Sequence, residues 1–194
     1  NKIISIHGSV SYGNSNPTVN EQVEIQQLTS VTGFAESYGL QPEHGINYEI
    51  GVKSAPTGKL LLELTAYQFE LKQAILPYSK EVFVEETQST EEFTLYTNAG
   101  RLIQKGIEFS ANYNFIHAYN RFFSDVDLYF NGQLTEYTFG NYTLDQNNFA
   151  GLRIPGMPVS TLNSGIKCTT QNDRISVSIQ HNYVDRIPIN NSNT

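Results

Sequence analysis

The 194 residues carry a formal net charge of -7 and a pI near 5.0, a balance that argues against a nucleic-acid partner. Charged residues make up 16% and hydrophobic residues 39%, with 12 Tyr, 11 Phe and no Trp, whereas soluble domains carry roughly 25% charge. Apolar runs get no longer than Leu60-Leu61-Leu62, which excludes a transmembrane helix, and the lone Cys168 excludes an internal disulfide. No basic stretch followed by an apolar one opens the chain, so no signal peptide is expected within it.

Seven segments alternate with a period of two, which sends one set of side chains to each face of a sheet. The first sets Ile4, Ile6, Val10 and Tyr12 against Ser5, His7, Ser9 and Ser11. Ile46, Tyr48, Ile50 and Val52 follow, against Asn47, Glu49, Gly51 and Lys53. The third opens with Leu60, Leu62, Leu64 and Ala66, then changes phase to Tyr67, Phe69 and Leu71. That slip predicts either a β-bulge or a rise out of a membrane band. In the fourth, Ile107, Phe109, Ala111, Tyr113 and Phe115 oppose Glu108, Ser110, Asn112 and Asn114. The fifth sets Val126, Leu128, Phe130 and Leu134 against Asp125, Asp127, Asn131, Gln133 and Thr135. The sixth has Leu162, Ile166 and Cys168, the seventh Ile175, Val177 and Ile179. No segment reads as a stable helix.

The connections alternate in length. Turn clusters at Ser54–Gly58, His117–Asn120 and Gln171–Asp173 are short, whereas Gly13–Glu43, Pro77–Phe93 and Phe139–Pro158 read as long polar loops. Long alternating strands with tight turns at one end and large loops at the other predict an outer-membrane β-barrel, short turns inside and long loops outside. A soluble β-sandwich shares the alternation but buries its apolar faces against each other. Strand length favours the barrel: the fourth and fifth segments run about 15 to 20 residues, against about 5 or 6 in soluble proteins. Glu49, Glu63, Glu108, Asp125 and Asp127 on the polar face suit a hydrated lumen. Seven strands do not close, since single-chain bacterial barrels have an even number from 8 upward. The expectation is an antiparallel all-β transmembrane barrel portion, part of something larger.

Several stretches then resemble one family. Leu40-Gln41-Pro42-Glu43 with Asn47-Tyr48-Glu49-Ile50-Gly51-Val52-Lys53 is similar to the "L-x-P-E … N-Y-E-x-G-x-K" stretch of TonB-dependent outer-membrane receptors. Asn98-Ala99-Gly100 with Gly106-Ile107-Glu108 resembles their "N-A-G … G-x-E" strand, and Gly151 with Ile154-Pro155-Gly156-Met157-Pro158 and Asn163 their "G-x-x-I-P-G-x-P … N" approach. Pro17-Thr18-Val19-Asn20-Glu21 resembles "P-P-T-x-x-E", with Asn16 in place of the first proline. The resemblance covers essentially the whole chain. It implies the late part of a barrel of about 22 strands around a plug, with the plug and the final strands absent from 1–194. It further implies a bacterial outer-membrane location, lipid around the barrel, and uptake driven by TonB through the plug. The expected cargo is a scarce nutrient, a ferric siderophore or similar iron chelate first among haem, cobalamin and oligosaccharides. Glu49 and Glu108 are then expected to hydrogen-bond to the plug.

Enzyme chemistry is not expected. His7, His44, His117 and His181 are scattered, which argues against a metal site, and no G-x-S-x-G, Walker or G-x-G-x-x-G pattern occurs. No catalytic residue and no cofactor is assigned. Glu81, Glu85-Glu86 and Glu91-Glu92 form an acidic, solvated stretch. Ligand contacts are sought on the large loops, where Phe34, Tyr38, Tyr78, Phe83, Phe149 and above all Tyr137, Tyr142 and Arg153 offer rings and a cation for an anionic chelate or a sugar.

Overall fold

Every alternating segment becomes a strand of a single antiparallel sheet. The computed structural model describes residues 3–22, 39–84, 87–117, 122–144, 146–170 and 174–190. The strands are β1 (Ile3–Ser15), β2 (Glu43–Thr57), β3 (Leu60–Lys72), β4 (Ile75–Val84), β5 (Ser89–Asn98) and β6 (Arg101–His117). They continue with β7 (Phe123–Asn141), β8 (Thr143–Leu144), β9 (Asn147–Asn148), β10 (Ser160–Thr170) and β11 (Ser176–Val184). The main sheet has 7 strands in the order β1-β2-β3-β6-β7-β10-β11, and β4-β5 and β8-β9 form two small sheets. β6 and β7 run 17 and 19 residues, as the alternation required. The main sheet is open, with β1 and β11 as its edges.

Register fixes what faces where. Residues directly opposite one another share a face, so Ile6, Val52, Leu64, Phe109, Gly132, Leu162 and Tyr183 form one apolar row across all seven strands. Rows above and below add Ile50, Ala66, Ile107 and Leu134, then Leu60, Tyr113, Leu128, Ile166 and Ile179. No second sheet packs on this face among the described residues: Ile50 is 62% exposed, Leu64 53% and Leu134 56%. A sandwich needs that face covered, so the barrel alternative stands. Aromatics flank the apolar band, Tyr12, Tyr48 and Tyr183 toward one end and Tyr113 and Phe115 toward the other, as at both interfaces of membrane barrels. Cys168 lies on the same outward face, opposite Val126 and Val177.

Three expectations need correction. The slip at Ala66–Tyr67 is not a bulge, because β3 holds one unbroken register with β6 from Leu60↔Tyr113 to Lys72↔Arg101. The pleat continues and the outward face turns polar instead: Gln68, Lys105 and Glu136 fill the next row but one. The strand is leaving the hydrocarbon, the second of the two readings. Pro77–Phe93 is not a loop; it lies within the β4-β5 hairpin, whose pairing Ile75↔Asn98 continues the β3-β6 register through a break at 73–74 and 99–100. β7 runs on to Asn141, into the third expected loop, and β2 runs through Pro56 to Thr57, with its irregular register confined to Ser54–Thr57. Residues 118–121 and 171–173 lie outside the described residues, and with them the turns placed there.

Candidate lumenal binding surface

The face opposite the apolar band is polar strand by strand. Ser5, Lys53, Glu63, Ser110, Asn131, Asn163 and Asn182 form a complete row, and His7, Gly51, Thr65, Glu108, Gln133 and Thr161 lie in the next. Lys53 pairs with Glu63, and Asn163 donates to Asn182. One row further, Ser9 donates to Glu49 at 3.3 Å. Glu49 and Glu108 therefore share the face that alternation assigned to the lumen. Toward the turn end, the amide of Asn114 donates to Asp127 at 2.8 Å and Asp125 at 3.2 Å. Such half-exposed contacts are worth little individually; together they tie the polar side chains of neighbouring strands to one another.

Above the polar rows the wall becomes aromatic. The phase change puts Tyr67 and Phe69 on this face, opposite Gly106 and Gln104, and Tyr137 lies across from Gln104 on β7. The side-chain amide of Gln104 donates to the Tyr137 hydroxyl at 3.1 Å and the Tyr67 hydroxyl at 3.3 Å. Gly106 makes this possible: a Cβ there sits 2.9 Å from the Tyr67 oxygen and 2.6 Å from the Leu134 carbonyl. The result is a patch of two rings joined by one amide, at the long-connection end of the sheet.

Higher still, the wall closes into a small core. Phe139 and Tyr142 are 2% and 3% exposed, packed with Ala99 and flanked by Leu102, Phe149, Leu152 and Ile154. The segment after β9 folds back along β7, where Phe139 N–H donates to Leu152 O at 3.0 Å and Ile154 N–H to Tyr137 O at 3.0 Å. Of the three ligand candidates read from the sequence, Tyr137 stands on the lumenal wall. Tyr142 lies in this core, its ring 5.1 Å from Phe139 and 5.3 Å from Phe149. Arg153 pairs with Thr138 and so belongs to the outward face. Phe83 is exposed on β4, Tyr78 lies on the same strand and Phe149 packs on the core. Phe34, Tyr38 and Glu85-Glu86 lie outside the described residues. Among the described residues no three His, Cys, Asp or Glu side chains gather as metal ligands.

The sequence motifs now acquire physical reasons. Where β4-β5 leaves the main sheet, Glu43 accepts the Ile75 N–H at 2.8 Å. Asn98 accepts the Gln41 N–H at 2.8 Å and donates to Gln41 O at 2.9 Å and Gln73 O at 2.7 Å. Gly100 takes φ +74° against the Asn141 carbonyl, a place no side chain fits. Thr18 and Glu21 cap a single helical turn at residues 19–22 reciprocally, Thr18 N–H to Glu21 Oε2 at 2.6 Å and Glu21 N–H to Thr18 Oγ at 3.4 Å.

The whole chain, residues 1–194, matches the family model described as "TonB dependent receptor-like, beta-barrel". The chain belongs to that family. No curated protein matches it. Membership makes it outer-membrane transport barrel, located in the bacterial outer membrane and of a family of transporters rather than enzymes. In this TonB-dependent receptor barrel the apolar rows face lipid and the polar rows face the lumen.

Proposed function

We propose that this barrel segment belongs to a receptor that takes up a ferric siderophore or similar iron chelate, powered by TonB through a plug lying in the rest of the protein. The observation that carries the reading is the Tyr67–Gln104–Tyr137 patch on the lumenal wall above the polar rows. Two aromatic faces and a fixed amide suit a rigid, ring-bearing chelate with oxygen donors at its rim, because rings contribute contact area at little entropic cost. Tyr137 is the contact retained from the sequence candidates. Tyr142 acts by holding the wall's upper end in shape, and Arg153 faces away from the pore. Glu49 and Glu108, on the rows below, are the acids that meet the plug.

The test is uptake of radiolabelled ferric chelates by cells relying on the full-length receptor, with haem, cobalamin and an oligosaccharide as competitors. Iron accumulation that requires TonB and falls in Tyr67→Ala/Tyr137→Ala is the expected result. Competition by an oligosaccharide alone sinks the iron reading while leaving the transporter intact.

A further inference from the structure

We infer that Phe69 and the glycine recess beside it form a second subsite of the lumenal wall, one that receives an uncharged aryl arm of the cargo. The assignment rests on the iron-chelate reading and narrows it to chelates with aromatic donors. Neighbouring rings on β3 lean apart: Tyr67 lies over Gly106 on β6, and Phe69 lies over Gly45 on β2. A Cβ on Gly45 would stand 2.8 Å from one carbon of the Phe69 ring and 3.0 Å from another, so only glycine lets this ring lie flat against the wall. Half-buried in that way, Phe69 keeps its other face toward the lumen. It shares one row with Asn47 on one side and with Gln104 and Tyr137 on the other, which joins the recess to the Tyr67–Gln104–Tyr137 patch.

Shape and charge together choose the arm. One row above Phe69, Gly13 lies directly opposite Gly45, and beyond its own chain neighbours no atom stands within 4 Å of the place a Gly13 Cβ would take. Two strands without side chains thus leave a recess of about 360 Å³, floored by the glycines and walled by Phe69 and Leu71. That volume lies at the small end of ligand sites and suits one flat arm rather than a whole chelate. Ser11 and Asn47, opposite each other at its lower edge, make no hydrogen bond among the described residues and are free to meet the arm's polar atoms. Glu43 is the one charged group in the lining among the described residues, and its carboxylate already accepts the Ile75 N–H. A carboxylate arm therefore meets a like charge and no cation. An alkyl hydroxamate arm leaves the Phe69 face unstacked. An aryl arm stacks on it, and offset rings attract beyond the area they bury.

Uptake by cells relying on the full-length receptor, offered radiolabelled iron as a tris-catechol or as a trihydroxamate chelate, tests the assignment. The wild type should half-saturate at an about tenfold lower concentration of the catechol form. Gly13→Val fills the recess from a position with room for the new side chain, and Phe69→Ala removes the stacking face. Each should raise the catechol value about tenfold and leave the hydroxamate value unchanged, with receptor abundance in the outer membrane equal by immunoblot. Equal half-saturation by the two chelates in the wild type, or an unchanged catechol value in either variant, overturns the inference while leaving iron uptake intact. Should Gly13→Val fail to reach the membrane, Phe69→Ala decides in the same way. Uptake of neither chelate sinks the iron reading itself, and this assignment falls with it.

Discussion

Single side chains at the upper end of the sheet decide whether its long hairpin has a fixed origin. Asn98 satisfies three backbone groups at once, two on Gln41 and one on Gln73. Asn98→Ala strands those groups and should cost about 1–3 kcal/mol locally. Hydrogen exchange should show it as faster exchange at residues 39–43 and 73–75, with the lower strands unchanged; exchange spread evenly over the barrel would refute the local role. On the lumenal wall, Gln104→Leu keeps the volume but removes the donor shared by Tyr67 and Tyr137. Loss of about 1 kcal/mol for each of the two hydrogen bonds predicts a roughly thirtyfold rise in half-saturating chelate concentration, measured by uptake, with receptor abundance constant. Tyr137 was legible as a candidate because it stands among loop-proximal aromatics, and it lies on the lumenal wall. The phase change at Ala66–Tyr67 is visible in the sequence, but only the register shows its consequence, an aromatic delivered to the polar face beside Gln104. The core around Tyr142 left no periodic trace, since it forms between a strand end and a returning loop.

At the scale of elements, alternation was sufficient to place all seven strands of the main sheet and to sort lipid-facing from lumenal side chains. It was insufficient for β4-β5, where Pro77 and the acids Glu81, Glu91 and Glu92 interrupt the pattern. That hairpin forms because it inherits its register from β3 and β6 rather than from an apolar face of its own. Replacing residues 77–96 by Asn-Gly, which suits a two-residue hairpin turn, should therefore leave the barrel folded and heat-modifiable. Collapse of the barrel would show that β3-β6 pairing depends on the hairpin. Neighbouring positions on one strand give a sharper contrast. Phe109 faces lipid, and Ser110 faces the lumen between Glu63 and Asn131. Phe109→Lys should cost about 2–4 kcal/mol near mid-membrane and Ser110→Lys far less, read from urea unfolding in lipid vesicles. Equal costs would mean that both faces meet the same solvent.

The molecule as a whole records its own inclination in the membrane. The apolar band does not follow the pairing rows; it steps across them. Its upper limit on β1 is Tyr12, but at β11 it is Tyr183, which shares a row with Ile6, six residues lower on β1. A drop of six residues at about 3.4 Å each, over six strand spacings of about 4.8 Å, gives a tilt of about 35°. Membrane barrels tilt their strands by roughly 35–45°, so lipid-facing residues chosen only for hydrophobicity already encode the angle that closure demands. Polarised infrared spectroscopy of the full-length receptor in oriented bilayers should return an average strand tilt near that value. Strands standing nearly upright would break the correspondence, because the apolar band of this sheet would then cut through the headgroup layer at one edge and leave charged Lys105 and Glu136 in the hydrocarbon.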